Sequence, residues 1–234
     1  MRIGIGNTLL LLLVCVAICG VADMMKNSSS TASTVVAGVG NTVGEDLPND
    51  RRFVPSTSLE EYGQQLAACG KAGPQVRAQT ASLRGTPTQR LIAVYQQLRD
   101  RWHYRPDGDA ETFQTAEASV GTLQYQGDCE DFAATMMAAL STIDGLTSRI
   151  VICHGRLEGE PGHAFCEVLI ADDLRSASPV LHRLRSAWNL PELVCHGGPT
   201  GVWVPLDFTP PRKAYDGSVY CFISNRGTVT YPTE

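Results

Sequence analysis

Residues 127–145 read GDCEDFAATMMAALSTIDG, and the interpretation of this stretch decides the fold. Asp128 stands where an N-cap belongs, directly before a run with apolar residues at Phe132, Met136, Ala139, Leu140 and Ile143. That spacing follows one face of a 3.6-residue period, so it predicts a helix that starts at Cys129 and buries a stripe. Asp131 is placed to return a hydrogen bond to the cap's backbone N–H, and Gly145 ends the run. Cys129 therefore occupies the first helical position, where unpaired N–H groups and the positive end of the helix dipole favour an anion. A thiol there is expected to titrate below the ordinary range and to be available as a thiolate nucleophile. A cysteine at a helix start can equally be an inert core residue, so the chemistry depends on its partners.

Upstream, Ser58-Leu-Glu-Glu61 is a capping box, and Leu59, Tyr62, Leu66 and Cys69 recur at helical spacing until Gly70 and Gly73-Pro74. Thr86-Pro87-Thr88-Gln89 opens a second helix whose stripe is Leu91, Val94, Tyr95, Leu98 and Trp102. Thr115-Ala-Glu117 opens a short turn of helix. Downstream, residues 149–157 (RIVICHGRL) and 163–170 (HAFCEVLI) read as two strands, followed by strands over 201–208 and 218–224. A hairpin symmetric about Gly159-Glu160 would set Cys153 opposite Cys166. Residues 172–200 are polar and Pro/Gly-rich, with a short helix marked by Ser178-Pro179, Val180, Leu184 and Trp188. Helices first and strands afterwards predict an α+β domain, N-terminal helices packed on an antiparallel β-sheet.

This domain is expected to span 58–234. Residues 26–57, rich in Ser, Thr, Gly and Asn, read as a flexible linker. Before them, residues 9–21 (LLLLLVCVAICGV) follow Arg2 as an apolar segment, so residues 1–25 form a signal peptide or an N-terminal membrane anchor. Gly20-Val21-Ala22 suits cleavage, whereas counting from Ile3 gives the length of a span, and both remain open. Either way the domain is expected outside the cytoplasm, periplasmic or at the cell surface, and the N-terminal segment makes the membrane a partner. The formal net charge is −5 and no block of Lys or Arg occurs, which excludes nucleic acid as a partner. Of the eight cysteines, Cys15 and Cys19 lie in the apolar segment. The other six allow two disulfides with Cys129 and one other left as thiols, or serve as small buried apolar residues.

His163 begins its strand after a Gly-rich turn, and alternation sets it with Phe165 on one face, with Ala164 and Cys166 on the other. Asp207, within WVPLDFTP, shares a face with Trp203 and Pro205. A thiol needs a base, and the base needs a group that fixes its tautomer. An aspartate on a neighbouring strand facing the same way meets that need. A lone His or Asp is usually structural; the ordered trio is the signal.

Gly127-Asp-Cys-Glu-Asp-Phe132, Gly162-His-Ala-Phe165 and Trp203-Val-Pro-Leu-Asp207 resemble the three motifs of the transglutaminase-like superfamily, relatives of the papain fold. Trp102-His-Tyr-Arg-Pro-Asp107 with Phe113-Gln-Thr115 and Glu117 is similar to the lead-in of its bacterial members. The resemblance implies Cys129 as nucleophile, His163 as general base and acid, and Asp207 as the orienting group. Glu130 stands where crosslinking enzymes usually carry Trp, which points to the bacterial cysteine proteinases, and the interval from His163 to Asp207 is long for the family, so residues 172–200 look like an insertion. The family also implies a polar oxyanion donor upstream, for which Gln124, Tyr125 and Gln126 are candidates beside the Cys129 N–H. No cofactor is required for the chemistry, but the resemblance implies calcium on Asp128 and Glu130, with Asp107, Asp109 and Glu111 as further ligands. Capping and dipole complementation is the competing role of Asp128, Glu130 and Asp131. Zinc on Cys153, His154, His163 and Cys166 is disfavoured, because sequence neighbours in a strand point to opposite faces. The expected activity is an extracytoplasmic cysteine peptidase that cuts a protein or peptide amide bond through an acyl-enzyme. Protein-glutamine acyl transfer and an inactive peptide-binding module are the alternatives.

Overall fold

The computed structural model describes residues 51–53, 58–107, 112–153, 162–198, 200–208 and 219–230. Helices α1 (Leu59–Cys69) and α3 (Pro87–Arg101) both open on complete capping boxes, Ser58 with Glu61 and Thr86 with Gln89. Between them lies α2 (Pro74–Ala81), which the sequence reading does not anticipate. Its first turn is capped from a distance: Gln75 and Val76 donate their backbone N–H groups to the Glu117 carboxylate, at 2.6 and 3.3 Å. A cap supplied by a residue so far along the chain leaves no local signature. Glu117 itself belongs to α4 (Ala116–Val120), which Thr115 caps.

Helix α5 (Cys129–Ser141) is the centre of the molecule. The predicted stripe is buried, and so are Ala133, Ala134, Met137 and Ala138 on the other faces. A helix apolar all round must be enclosed on every side, and its alanines let neighbours approach closely. One side meets a six-stranded antiparallel sheet in the order β10-β9-β5-β6-β8-β7. These strands are β5 (Thr147–Cys153), β6 (His163–Ala171), β7 (His196–Gly198), β8 (Gly201–Leu206), β9 (Val219–Ser224) and β10 (Val229–Thr230). Ile150, Ile152, Ala164, Cys166, Val168, Val204, Leu206 and Ile223 join the helices in one core. Val151, Cys153 and Phe165 form a small cluster on the opposite face. The α+β architecture is thus as predicted.

Several local expectations are corrected. Cys153 pairs with His163, and Ile150 pairs with Cys166, so Cys153 and Cys166 lie on opposite faces rather than opposite one another. The offset from the symmetric hairpin is odd, and an odd slip turns every side chain over. Residues 154–161, between the two strands, lie outside the described residues. Cys69, Cys129, Cys153, Cys166, Cys195 and Cys221 are all free thiols, so the two disulfides are not formed. The stretch 172–200 holds a helix longer than the short one expected. Its helix α6 (Leu174–Ala187) starts at the Asp173 cap and carries Pro179 within it. Leu184 is fully buried, Trp188 meets the Tyr95 ring edge-on at 4.5 Å, and the Ala187 carbonyl accepts from Gln96 Nε2 at 2.9 Å.

Two short pairings complete the frame: β1 (Arg51–Phe53) runs antiparallel to β3 (Thr112–Gln114), and β2 (His103–Tyr104) runs parallel to β4 (Gln126–Gly127). Strand β1 falls in the stretch read as linker; three residues are too few to show a side-chain period. The apolar segment at 9–21 and residues 26–50 lie outside the described residues. Among the described residues, no helix is long and apolar enough to cross a membrane.

Candidate active site

Cys129 is the first residue of α5, half-buried, and faces the start of β6. The backbone N–H of Ala164, the residue after His163, is hydrogen-bonded to its sulfur. His163 Nε2 lies 2.8 Å from Asp207 Oδ2, and Asp207 is almost wholly buried just beyond the end of β8. The structure therefore brings the three sequence-selected residues to one end of the sheet, where α5, β6 and β8 converge. With Asp207 on Nε2, the neutral ring carries its lone pair on Nδ1, the nitrogen left to exchange a proton.

The electrostatics of the thiol differ from expectation. Its pKa is pushed far up, first by burial and then by the Glu130 carboxylate, while the Ala164 N–H pulls the other way. The S–H donates to Glu130 Oε2 at 3.1 Å. The helix N-terminus favours a thiolate, but removing the sulfur from water beside carboxylates outweighs that dipole. Burial is a tertiary quantity, which is why the position in the helix alone misjudged the sign.

Asp107, Asp128 and Glu130 bring carboxylate oxygens within 4.8 Å of one another, with Asp128 and Glu130 buried. Asp128 holds the N-cap position but makes no side-chain cap bond to α5. Asp131 does return to the Asp128 N–H, and its Oδ1 accepts from Gln114 N–H at 2.7 Å. Burial, then Asp128, raises the Asp131 pKa to about 8. A Cβ on Gly127 would sit 2.5 Å from Asp131 Oδ2, so this close approach requires glycine. Asp109 and Glu111 lie outside the described residues, as does His154. With Cys153 and Cys166 on opposite faces and His163 on Asp207, the zinc grouping does not assemble.

Among the oxyanion candidates, Gln124 is exposed and Tyr125 turns its hydroxyl to Arg101 Nη1 at 3.0 Å. Both have positive φ, 50° and 64°, a strained turn that delivers the chain into β4. Gln126 is half-buried on β4, shortly before Cys129. Two positioning contacts were missed by sequence reasoning. The buried Tyr95 hydroxyl donates to the Asp207 carbonyl at 2.8 Å, and Trp102 Nε1 donates to the Gly127 carbonyl at 3.2 Å. Neither hydrogen bond was anticipated, since Tyr95 was read only as core stripe and Trp102 as core stripe and the start of the lead-in segment; a polar-tipped aromatic in a buried stripe is the signal that a partner is required.

A family model described as the transglutaminase-like superfamily matches residues 74–208, a span that includes Cys129, His163 and Asp207. No curated protein and no solved structure matches the chain.

Proposed function

The chain belongs to the transglutaminase-like superfamily, which includes cysteine peptidases and acyltransferases, and from that footing we propose an extracytoplasmic cysteine peptidase with Cys129, His163 and Asp207 as its triad. The observation that carries this reading is the 2.8 Å His163–Asp207 pair set against the thiol-bearing helix. In the proposed reaction the Cys129 thiol gives its proton to His163 Nδ1, and the sulfur attacks the carbonyl carbon of a peptide amide. The tetrahedral oxyanion is met by the Cys129 N–H and by Gln126, the candidate best placed to serve. Collapse breaks the C–N bond as His163 returns the proton to the leaving amine, leaving a thioester. Water, activated by the same imidazole, then releases the acid. Asp207 holds Nε2–H throughout and stabilises the imidazolium. Before attack the thiol must leave Glu130 Oε2, so substrate binding has to make that exchange favourable.

Asp107, Asp128 and Glu130 fit calcium: the donor set is all oxygen, converges within 4.8 Å, and carries negative charge in a mostly buried place. A bound calcium ion would supply the positive charge that neutralises the carboxylates beside Cys129. Calcium, and magnesium far less, should raise the melting temperature, and Asp128→Asn should remove the shift. The apolar segment at 9–21 is proposed to export or anchor the domain; a C-terminal reporter active only in the cytoplasm would overturn that.

Incubating the purified protein with an unfolded protein substrate and a primary amine, then reading products by mass spectrometry, tests the activity. New chain termini that vanish in Cys129→Ala support the peptidase. Loss of ammonia from glutamine with amine incorporated indicates acyl transfer instead. Neither product, with Cys129 inert to iodoacetamide, overturns the enzyme reading in favour of a peptide-binding module.

A further inference from the structure

Tyr104 is one of two large apolar side chains among the described residues that stand well exposed, at 57%. Exposed aromatics that pack on other rings deserve a reason, since water contact over that area is unfavourable. The Tyr104 ring stacks on Phe208 with centroids 5.3 Å apart and planes 20° from parallel. Phe208 directly follows Asp207 and meets the Phe132 ring edge-on at 5.9 Å. Phe132, one turn beyond Cys129 on α5, in turn meets Trp102 at 5.1 Å. Strand β2 fixes the other end, because Tyr104 is paired in register with Gly127, two residues before Cys129. The phenol also feels the site: burial and then Cys129, Asp128, Glu130 and Asp107 raise its pKa. A continuous aromatic row thus runs from the core to the surface between the cysteine helix and the strand end that bears Asp207.

We infer that Tyr104 and Phe208 form a ledge that receives an apolar side chain of the peptide on the acyl side of the reacting carbonyl. The inference rests on the reading of Cys129 as nucleophile. A flat ring, stacked and backed by a second ring, offers an extended apolar surface at little entropic cost, and its position beside the nucleophile makes it part of the substrate path. Tyr104 and Phe208 are accordingly specificity residues.

Peptidyl chloromethyl ketones test this, because the Cys129 thiolate displaces chloride as the S–C bond forms and the C–Cl bond breaks. The probes are acetyl-Ala-Ala, acetyl-Phe-Ala and acetyl-Ala-Phe chloromethyl ketones, with modification of Cys129 followed by mass spectrometry. One of the two phenylalanyl probes should react roughly tenfold faster than the dialanyl probe, about the size of one aromatic contact. Tyr104→Ala should bring that ratio close to one, whereas Tyr104→Phe should preserve it. Equal rates for all three probes in the wild-type protein, or a ratio untouched by Tyr104→Ala, would overturn the ledge while leaving Cys129 a nucleophile. Failure of iodoacetamide and all three probes to modify Cys129 would remove the nucleophile and the ledge together.

Discussion

Two histidine–carboxylate pairs belong to strands of the same sheet. His163 and Asp207 approach to 2.8 Å at one end, and His196 of β7 lies 3.2 Å from buried Glu167 of β6. The surroundings of the second pair are of a different kind. Arg149 binds the other Glu167 oxygen, and its guanidinium is held between the Trp203 and Phe222 rings, 4.0 and 3.8 Å from their centroids. Burial and Arg149 lower the His196 pKa, so that imidazole stays neutral and the arginine supplies the charge. At His163 a helix start brings a thiol instead. The contrast teaches that the same imidazole–carboxylate contact occurs in the proposed triad and in a charge-paired site inside the sheet. What differs is whether a nucleophile or a competing cation completes it.

Exchanging the acidic partners should separate the two most sharply. Asp207→Asn is expected to cut turnover of an amide substrate by about 10³–10⁴ with the fold intact by circular dichroism. Glu167→Gln should leave turnover within about threefold, as expected of a change that touches no reacting group. Comparable losses in both variants would erase the distinction.

Next in size is the arginine. Arg149→Met should destabilise the fold by about 3–5 kcal/mol in urea titrations at pH 8, where Glu167 is ionised beside its guanidinium and, without it, must take up a proton or stand as an unpaired buried charge. Adding Glu167→Gln to that variant should recover most of the loss; no recovery would mean that the aromatic packing of Arg149, rather than its charge, stabilises the sheet.

Acidity gives a third separation. Desolvation outweighs Arg149 and raises the Glu167 pKa from 4.5 to about 7. Between those values the native state binds a proton that the unfolded state releases. Stability from this group is therefore full below about pH 4.5 and falls as pH rises through 7, by about 3 kcal/mol. Asp131, raised to about 8, adds a slope of the same sign. Melting curves in chelator should show Glu167→Gln removing the first part of the slope. A wild-type protein that gains stability from pH 5 to pH 8 would contradict both assignments.

The smallest effect concerns the support of the triad. Tyr95→Phe deletes the hydrogen bond to the Asp207 carbonyl and should cost about 1 kcal/mol of stability, leaving a buried acceptor to find water. Turnover should fall several-fold while the binding of substrate changes little; an unaltered rate would show that β8 positions Asp207 without help.

Much of the candidate site was legible before any coordinates. The Cys129 helix start, the strand that opens at His163 and the face shared by Trp203, Pro205 and Asp207 all follow from short-range spacing, and the structure assembles them. Ser58 and Thr86 were readable as caps because their partners sit three residues away. Helix α2 was missed because Glu117 caps it from across the molecule, and α6 was read shorter than it is because its packing on α3, Trp188 against Tyr95 and the Ala187 carbonyl on Gln96, is invisible in a polar stretch.

By itself, then, the sequence determined where helices begin, which strands alternate, and which candidate nucleophile, base and orienting carboxylate stand in order along the chain. Those are properties of neighbours within a few residues, set by backbone geometry and side-chain period. Only the tertiary structure decided that Cys153 faces away from Cys166, that every described cysteine is a free thiol, and that α5 is enclosed on all sides. It also decided the surroundings of the Cys129 thiol. A helix dipole acts from the local chain, whereas the desolvation of sulfur and the approach of Glu130 come from packing. In a dry site those packing terms are the larger.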